Sequence, residues 1–248
     1  MHRFFVSTNS ISGSRVSLTG GIAAQIAQVL RGRPKDTVMV LDDTGMEYRV
    51  VLDYVSVTQI GGEVIDFEMC AGEPNVEITL YQAIIKGDKF EYVLQKCTEL
   101  GVSAFVPVIC ERSIPNARKW GDGRYERWRL IVREAAEQSR RGRVPRVDVA
   151  IGFKDACENH VGSGVIPWEV ESHHSLKQVL GQLRERGMGP SRIGIFIGPE
   201  GGLTCDEVDF ARAQGILPAT LGPRILRAET ASVAVSAAVM YELDELEA

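Results

Sequence analysis

Residues 193–238 read IGIFIGPEGGLTCDEVDFARAQGILPATLGPRILRAETASVAVSAA, and this stretch decides the fold. A short apolar strand, Ile193–Ile197, empties into Gly198-Pro199-Glu200-Gly201-Gly202. A helical stretch follows, then a second strand ending near Leu221 and a second loop running from Gly222 to Ala231. The chain then enters an alanine-rich helix. Two such strand-to-loop-to-helix passages place both loops at one edge of a parallel sheet. That edge, outside the carboxyl ends of the strands, is where open α/β sheets bind ligands.

The loops themselves have the chemistry of a binding site. Gly198, Gly201 and Gly202 let the backbone approach a ligand closely and surround the carboxylate of Glu200. The second loop alternates Leu221, Ile225 and Leu226 with Arg224, Arg227 and Glu229, and Thr230 sits near a helix start with free N–H groups. Apolar walls, backbone polar groups and one or two carboxylates suit a flat purine carrying a ribose, or a positively charged sulfonium. The strings are neither GxGxxG nor the GK[ST] of a phosphate-gripping loop. A tight turn with no ligand remains the alternative.

Working upstream, Val76–Ile84 is a strand with no polar face, as expected where both sides are covered. Asp88 is placed to cap a helix whose Phe90, Val93, Leu94, Cys97 and Leu100 form one stripe, ended by Gly101. Ala104–Ile109 and Val165–Val170 are further strands, and Asp122–Arg141 and Ser175–Arg186 further helices. Strands alternating with helices predict a parallel α/β sheet. Residues 1–72 differ: Arg3–Val6, Arg15–Leu18, Thr37–Leu41, Tyr48–Val57 and Val64–Met69 are short strands, with one helix at Ile22–Leu30. They predict a small barrel-like domain. Ala71-Gly72-Glu73-Pro74 reads as the linker, giving domains 1–72 and 73–248.

Charge points to a partner. The net charge is −5, yet Arg112–Arg146 holds eleven Lys and Arg against four Asp and Glu, a local +7 that leaves −12 elsewhere. Arginine, at 21 against 7 lysines, forks onto phosphates and stacks on bases. The stripe suggests RNA; a solvated helix face is the plainer reading. Trp120, Tyr125 and Trp128 interleave with it, and one could stack on a base, although Trp128 also falls on an apolar stripe.

Other classes are disfavoured. No apolar run reaches the roughly 18–20 residues of a membrane span, and MHRFFVSTNS lacks the apolar core of a signal peptide, so a cytoplasmic location is expected. Cys70, Cys97, Cys110, Cys157 and Cys205 are odd in number and show no CxxC pair, so neither a disulfide framework nor a zinc site is indicated. His160, His173 and His174 have no ligand spacing, and no metal is expected.

The strings IGPEGG and LGPRILRAETA together resemble the C-terminal signature of the SPOUT methyltransferases, and more closely that of the bacterial 16S rRNA (uracil-1498-N3)-methyltransferase family. Lys86-Gly87-Asp88-Lys89, Lys96–Val102, Glu111-Arg112-Ser113, Glu134–Ser139 with Arg141, Arg143 and Pro145, His2–Phe5 and Val29-Leu30-Arg31 extend the resemblance over nearly the whole chain. Gln25, where the family usually has histidine, and Lys35-Asp36, where it usually has Gly-Asp, depart from it.

The resemblance implies an α/β fold with an N-terminal PUA-like β-barrel for RNA binding and a C-terminal SPOUT domain carrying a trefoil knot. It implies a homodimer in which the partner chain completes each site, with S-adenosyl-L-methionine held by Ile197, Gly198, Glu200, Gly201, Gly202, Leu221, Gly222, Ile225, Leu226, Arg227, Glu229, Thr230 and Ala231. The implied reaction is methylation of N3 of uridine 1498 in 16S rRNA of the small ribosomal subunit. Another rRNA or tRNA position, or an RNA-binding module without chemistry, are the rivals. Arg227 or Arg112 is expected to stabilise the uracil anion, and Glu229 or Glu200 to accept a proton or favour the sulfonium. Arg3, Arg31, Arg112, Arg141 and Arg143 are expected on RNA phosphates.

Overall fold

The apolar run after Val76 becomes the centre of a seven-stranded, all-parallel sheet in the computed structural model, which describes residues 1–113, 121–185 and 192–246. Its strands are β7 (Glu77–Ala83), β8 (Ala104–Ile109), β9 (Arg146–Val147), β10 (Ile151–Gly152), β11 (Ser163–Pro167), β12 (Arg192–Ile197) and β13 (Ile216–Ala219). The spatial order is β10-β8-β7-β12-β11-β13, with β9 also pairing β8. Both faces are covered, so Ile78 and Leu80 on one side and Tyr81 and Ala83 on the other are all buried.

Helices α4 (Phe153–Asn159) and α6 (Cys205–Ala213) enclose one core, in which Tyr81, Val106, Val108, Phe153, Phe196 and Val208 meet. Tyr81 stacks on Phe196 with ring centroids 4.2 Å apart. Helices α2 (Lys89–Glu99) and α7 (Ala228–Glu242) pack on each other, as α5 (Leu176–Glu185) does on α7. Phe90, Val93, Leu94 and Cys97 of the α2 stripe are buried as their spacing predicts, with Leu100 partly so, and Gly101 ends that helix at φ +100° while Val102 N–H donates to the Cys97 carbonyl. Asp88 stands at the N-cap but its side chain makes no capping hydrogen bond. Ser175 does cap α5, its Oγ accepting from Gln178 N–H at 3.3 Å.

Helix α3 (Asp122–Gln138) packs Trp128 on Phe90, with centroids 4.3 Å apart. Trp128 is 2% exposed, and Tyr125 is buried with its hydroxyl accepting from Ala150 N–H. Both rings are therefore core rather than base-stacking platforms. Trp120 lies outside the described residues.

By its internal contacts the chain divides into two units, one of Met1–Glu73 with Ala136–Val144, the other of Pro74–Ala135 with Pro145–Ala248. The first is built on a six-stranded sheet. Its strands are β1 (Arg3–Phe5), β2 (Ile11–Ser12), β3 (Arg15–Thr19), β4 (Thr37–Leu41), β5 (Met46–Val55) and β6 (Gln59–Met69), in the order β1-β4-β5-β6-β3-β2. Only β1 and β4 run parallel. Register shifts at Arg49/Val50 and Leu52/Tyr54 bend the β5–β6 pair. Helix α1 (Gly20–Ala24), continued by Gln25–Val29, lays Ala23 and Ile26 on its core.

The return segment Ala136–Val144 explains why α3 stops at Gln138 rather than Arg141. Arg140 takes φ +62°, and the carboxylate of Glu73 then gathers the turn: Oε1 accepts from Arg141 Nε (2.8 Å) and from the N–H groups of Gly142 (2.9 Å) and Arg143 (3.1 Å). Gly72 has to be glycine, since a Cβ there would collide with the Arg140 carbonyl. Ala136 joins Phe5 and Leu41 in a small apolar cluster.

Candidate functional site

Because the large sheet is entirely parallel, all of its strands deliver their loops to one edge. Three of those loops enclose an open cavity of about 670 Å³: residues 167–172 after β11, residues 199–202 after β12 and residues 220–228 after β13, with Lys89 from the start of α2. The loops are tied to one another. Trp168 N–H donates to the Ala219 carbonyl (3.0 Å), Thr220 N–H to that of His174 (2.8 Å) and Leu176 N–H to that of Thr220 (3.1 Å).

Of the residues expected to hold a cofactor, Glu200, Gly202, Leu221, Gly222, Ile225, Leu226, Arg227 and Ala231 line this cavity. Ile225, in the cavity lining, is 86% exposed. Ile197, Gly198, Gly201, Glu229 and Thr230 stand behind or beside the lining. Gly198 leaves no room for a side chain, its Cβ position being 2.9 Å from Leu203 Cγ. Gly202 adopts φ +71°, closes a turn onto the Pro199 carbonyl, and leaves room for the carboxylate of Glu169.

The glycine loop is held from both sides. Glu200 Oε1 accepts from Lys86 N–H at 3.0 Å, after β7. The loop after β8 supplies Arg112, whose Nη1 donates to the Gly201 carbonyl at 3.0 Å. Buried Glu207 fixes that loop, accepting from Glu111 N–H (2.8 Å) and Thr204 N–H (3.0 Å) while completing a capping box at the start of α6.

Glu229 sits in the first turn of α7 with Oε1 2.9 Å from Lys89 Nζ. Burial works against its charge, but the Lys89 hydrogen bond, its own backbone N–H and the charges of Lys89 and Arg227 prevail, holding the carboxyl below its ordinary range. The cavity residues missed from sequence include Lys89, the run Pro167, Trp168, Glu169, Glu171 and Ser172 at the end of β11 and beyond it, and Thr220 after β13. Each stands at or after a strand's carboxyl end, the one signal available.

The arginines part company. Arg141 is 2% exposed and forks onto Glu73, so its guanidinium is a buried strut and not a phosphate contact. Arg3 is paired with Glu47 with its side chain 11% exposed, and it also donates to Cys70 Sγ; its charge is likewise committed within the first unit. Arg31 and Arg112 are exposed, as is Arg143, although its Nε and Nη2 both donate to the Thr44 carbonyl. Among the described residues no group of three His, Cys, Asp or Glu is arranged to hold a metal, and no helix is long and apolar enough to cross a membrane.

Comparison with known proteins agrees with this geometry. The profile of the RNA methyltransferase domain family matches residues 72–240. Ribosomal RNA small subunit methyltransferase E of Bacillus subtilis is 33% identical over 233 residues, spanning 93% of this chain and 91% of that protein. Its Synechocystis counterpart is 33% identical over 230 residues, spanning 93% and 74%. The crystal structure of a ribosomal RNA small subunit methyltransferase E from Neisseria gonorrhoeae bound to S-adenosyl methionine superposes with a TM-score of 0.85, at 35% identity and 97% coverage of both chains.

Proposed function

The chain belongs to the family of the ribosomal RNA small subunit methyltransferases E, and on that premise we propose that it methylates N3 of uridine 1498 in 16S rRNA with S-adenosyl-L-methionine as donor. The observation that carries the reading is the cavity at the carboxyl edge of the parallel sheet, built from the two glycine-bearing loops and the loop after β11. It fits the donor chemically: Leu221, Ile225 and Leu226 offer apolar surface to a purine, the loop backbones offer polar partners, and carboxylates suit a cation. When bound, the donor supplies an electrophilic methyl on a sulfonium.

The chain's own residues position and stabilise. N3 lies on the Watson–Crick edge, so the base has to be unpaired and turned into the site. On this reading Arg227 stabilises the anion left when the imide loses its proton, which lowers the cost of giving that proton to water; its position in the cavity lining supports the role. Arg112 holds the Gly201 carbonyl and through it the glycine loop. Glu229, already charge-paired with Lys89, is a poor proton acceptor and serves to fix Lys89. Arg31, Arg112 and Arg143 meet RNA phosphates.

The same reading takes the first unit as a PUA-like barrel and the stretch from β12 to α7 as a trefoil knot; β12 inserted between β7 and β11 supports such a threading. It takes the protein as a cytoplasmic homodimer, with the small-residue helix α7 at the interface. The test is transfer of labelled methyl from S-adenosyl-L-methionine to small-subunit rRNA or assembled subunits that lack the modification. Label in the RNA is expected; none with either substrate would reject the reading.

A further inference from the structure

Four carboxylates line or border the cavity, and three are held by the protein itself. Glu229 pairs with Lys89. Glu200 accepts from Lys86 N–H. Glu171 accepts from the N–H groups of His173 and His174, at 2.7 and 3.1 Å, and lies 3.9 Å from Arg212. Glu169 is different: it lines the cavity, and among the described residues neither of its oxygens has a hydrogen bond or an ion pair. It is packed over the Cα of Gly202, the residue whose missing side chain leaves it that room.

We infer that Glu169 reads the positive charge of the donor's sulfonium and thereby separates the methyl donor from its spent thioether. The inference rests on the methyl-donor reading above and moves the charge-sensing role from Glu200 and Glu229, which the fold has engaged, to a residue it has left free. Donor and product share adenosine, ammonium and carboxylate; they differ by one methyl and one positive charge at sulfur. A carboxylate without a protein partner adds Coulomb attraction for the first and none for the second. Transfer of the methyl removes the charge, so the cavity loosens its hold on the product at the moment the product has to leave. Lys89 cannot cancel the effect, since Glu229 neutralises it.

The test is calorimetric titration of the wild-type protein and Glu169→Gln with S-adenosyl-L-methionine and with S-adenosylhomocysteine. Glu169→Gln keeps the shape and removes the charge. Glu169 is exposed, so donor affinity is expected to fall by up to about fivefold, as for an exposed charge pair, while product affinity is unchanged. Equal loss for both ligands, or no loss for the donor, overturns the inference. Glu200→Gln is expected to weaken both ligands alike; if it alone removes the preference for the donor, Glu169 is not the sensor. Should Glu169→Gln lose both ligands through misfolding, Glu169→Asp decides, with the donor preference expected to persist and its disappearance counting against us. A wild-type protein that binds neither ligand refutes the methyl-donor reading instead.

Discussion

Lys89 Nζ lies 2.9 Å from Glu229 Oε1, joining the first turn of α2 to the first turn of α7. The other oxygen, Oε2, is buried without a hydrogen-bond partner among the described residues. Burial alone would raise this carboxyl, yet the ammonium and the helix N–H hold it below its ordinary 4.5. A group whose folded pKa is depressed contributes stability above its unfolded pKa and loses it as pH falls through the folded one. Thermal stability of the wild type should therefore drop below about pH 4.5 partly on account of Glu229, and Glu229→Gln should flatten that limb. Near neutrality the pH–rate profile of Glu229→Gln should keep the wild-type inflection. A vanished inflection would make Glu229 the base.

Arg141 and Glu73 form a pair whose arginine side chain is 3% exposed. Removing Arg141 takes the buried guanidinium out of the turn and leaves the Glu73 carboxylate, 19% exposed, holding only the N–H groups of Gly142 and Arg143. Arg141→Ala should cost about 3–5 kcal/mol in urea denaturation. Arg31→Ala should leave stability within about 0.5 kcal/mol and lower the slope of log affinity for RNA against log salt by about 1. Equal stability of both variants would return Arg141 to the RNA surface.

His160 meets the stacked Tyr81–Phe196 pair edge-on, its centroid 5.5 Å from each ring, with Nε2 3.0 Å from the Ser163 carbonyl. Burial lowers its pKa from 6.5 and the carbonyl only partly offsets this. The native state then binds fewer protons than the unfolded one. Stability should be level above about pH 6.5 and decline as pH falls below it. His160→Phe should reduce that decline below about pH 6.5, as read by denaturant midpoints across pH; an unchanged slope would assign it elsewhere.

Gly202 combines φ +71° with contact to Glu169. Gly202→Ala should cost about 1–2 kcal/mol for the left-handed backbone alone. It should also weaken donor binding, because the new methyl displaces Glu169. Full stability with full affinity would show that the turn tolerates a side chain.

How much of this was legible in the sequence follows from what is local. Ile193–Ile197 and the strand before Leu221 announce themselves by apolar runs closed with glycine, and the parallel sheet that joins them puts their loops at one edge as expected. The α2 stripe and its Gly101 stop were equally plain. What escaped depends on partners distant in the chain. Sequence shows that Arg141 and Arg3 are charged, but not that Glu73 and Glu47 bury that charge. It marks Glu169 as the tail of a strand; the strand in fact stops at Pro167 and turns Glu169 into the cavity beside β13. Lys89 reads as a helix residue until Glu229, far along the chain, is seen to hold it.

The most direct test of the central claim is nucleoside mass analysis of small-subunit rRNA after incubation with the protein and S-adenosyl-L-methionine, with the product located by primer extension. One 3-methyluridine, at position 1498, is the expected product. A 2′-O-methylated nucleoside, a methyl on another base, or 3-methyluridine at a different position would contradict it.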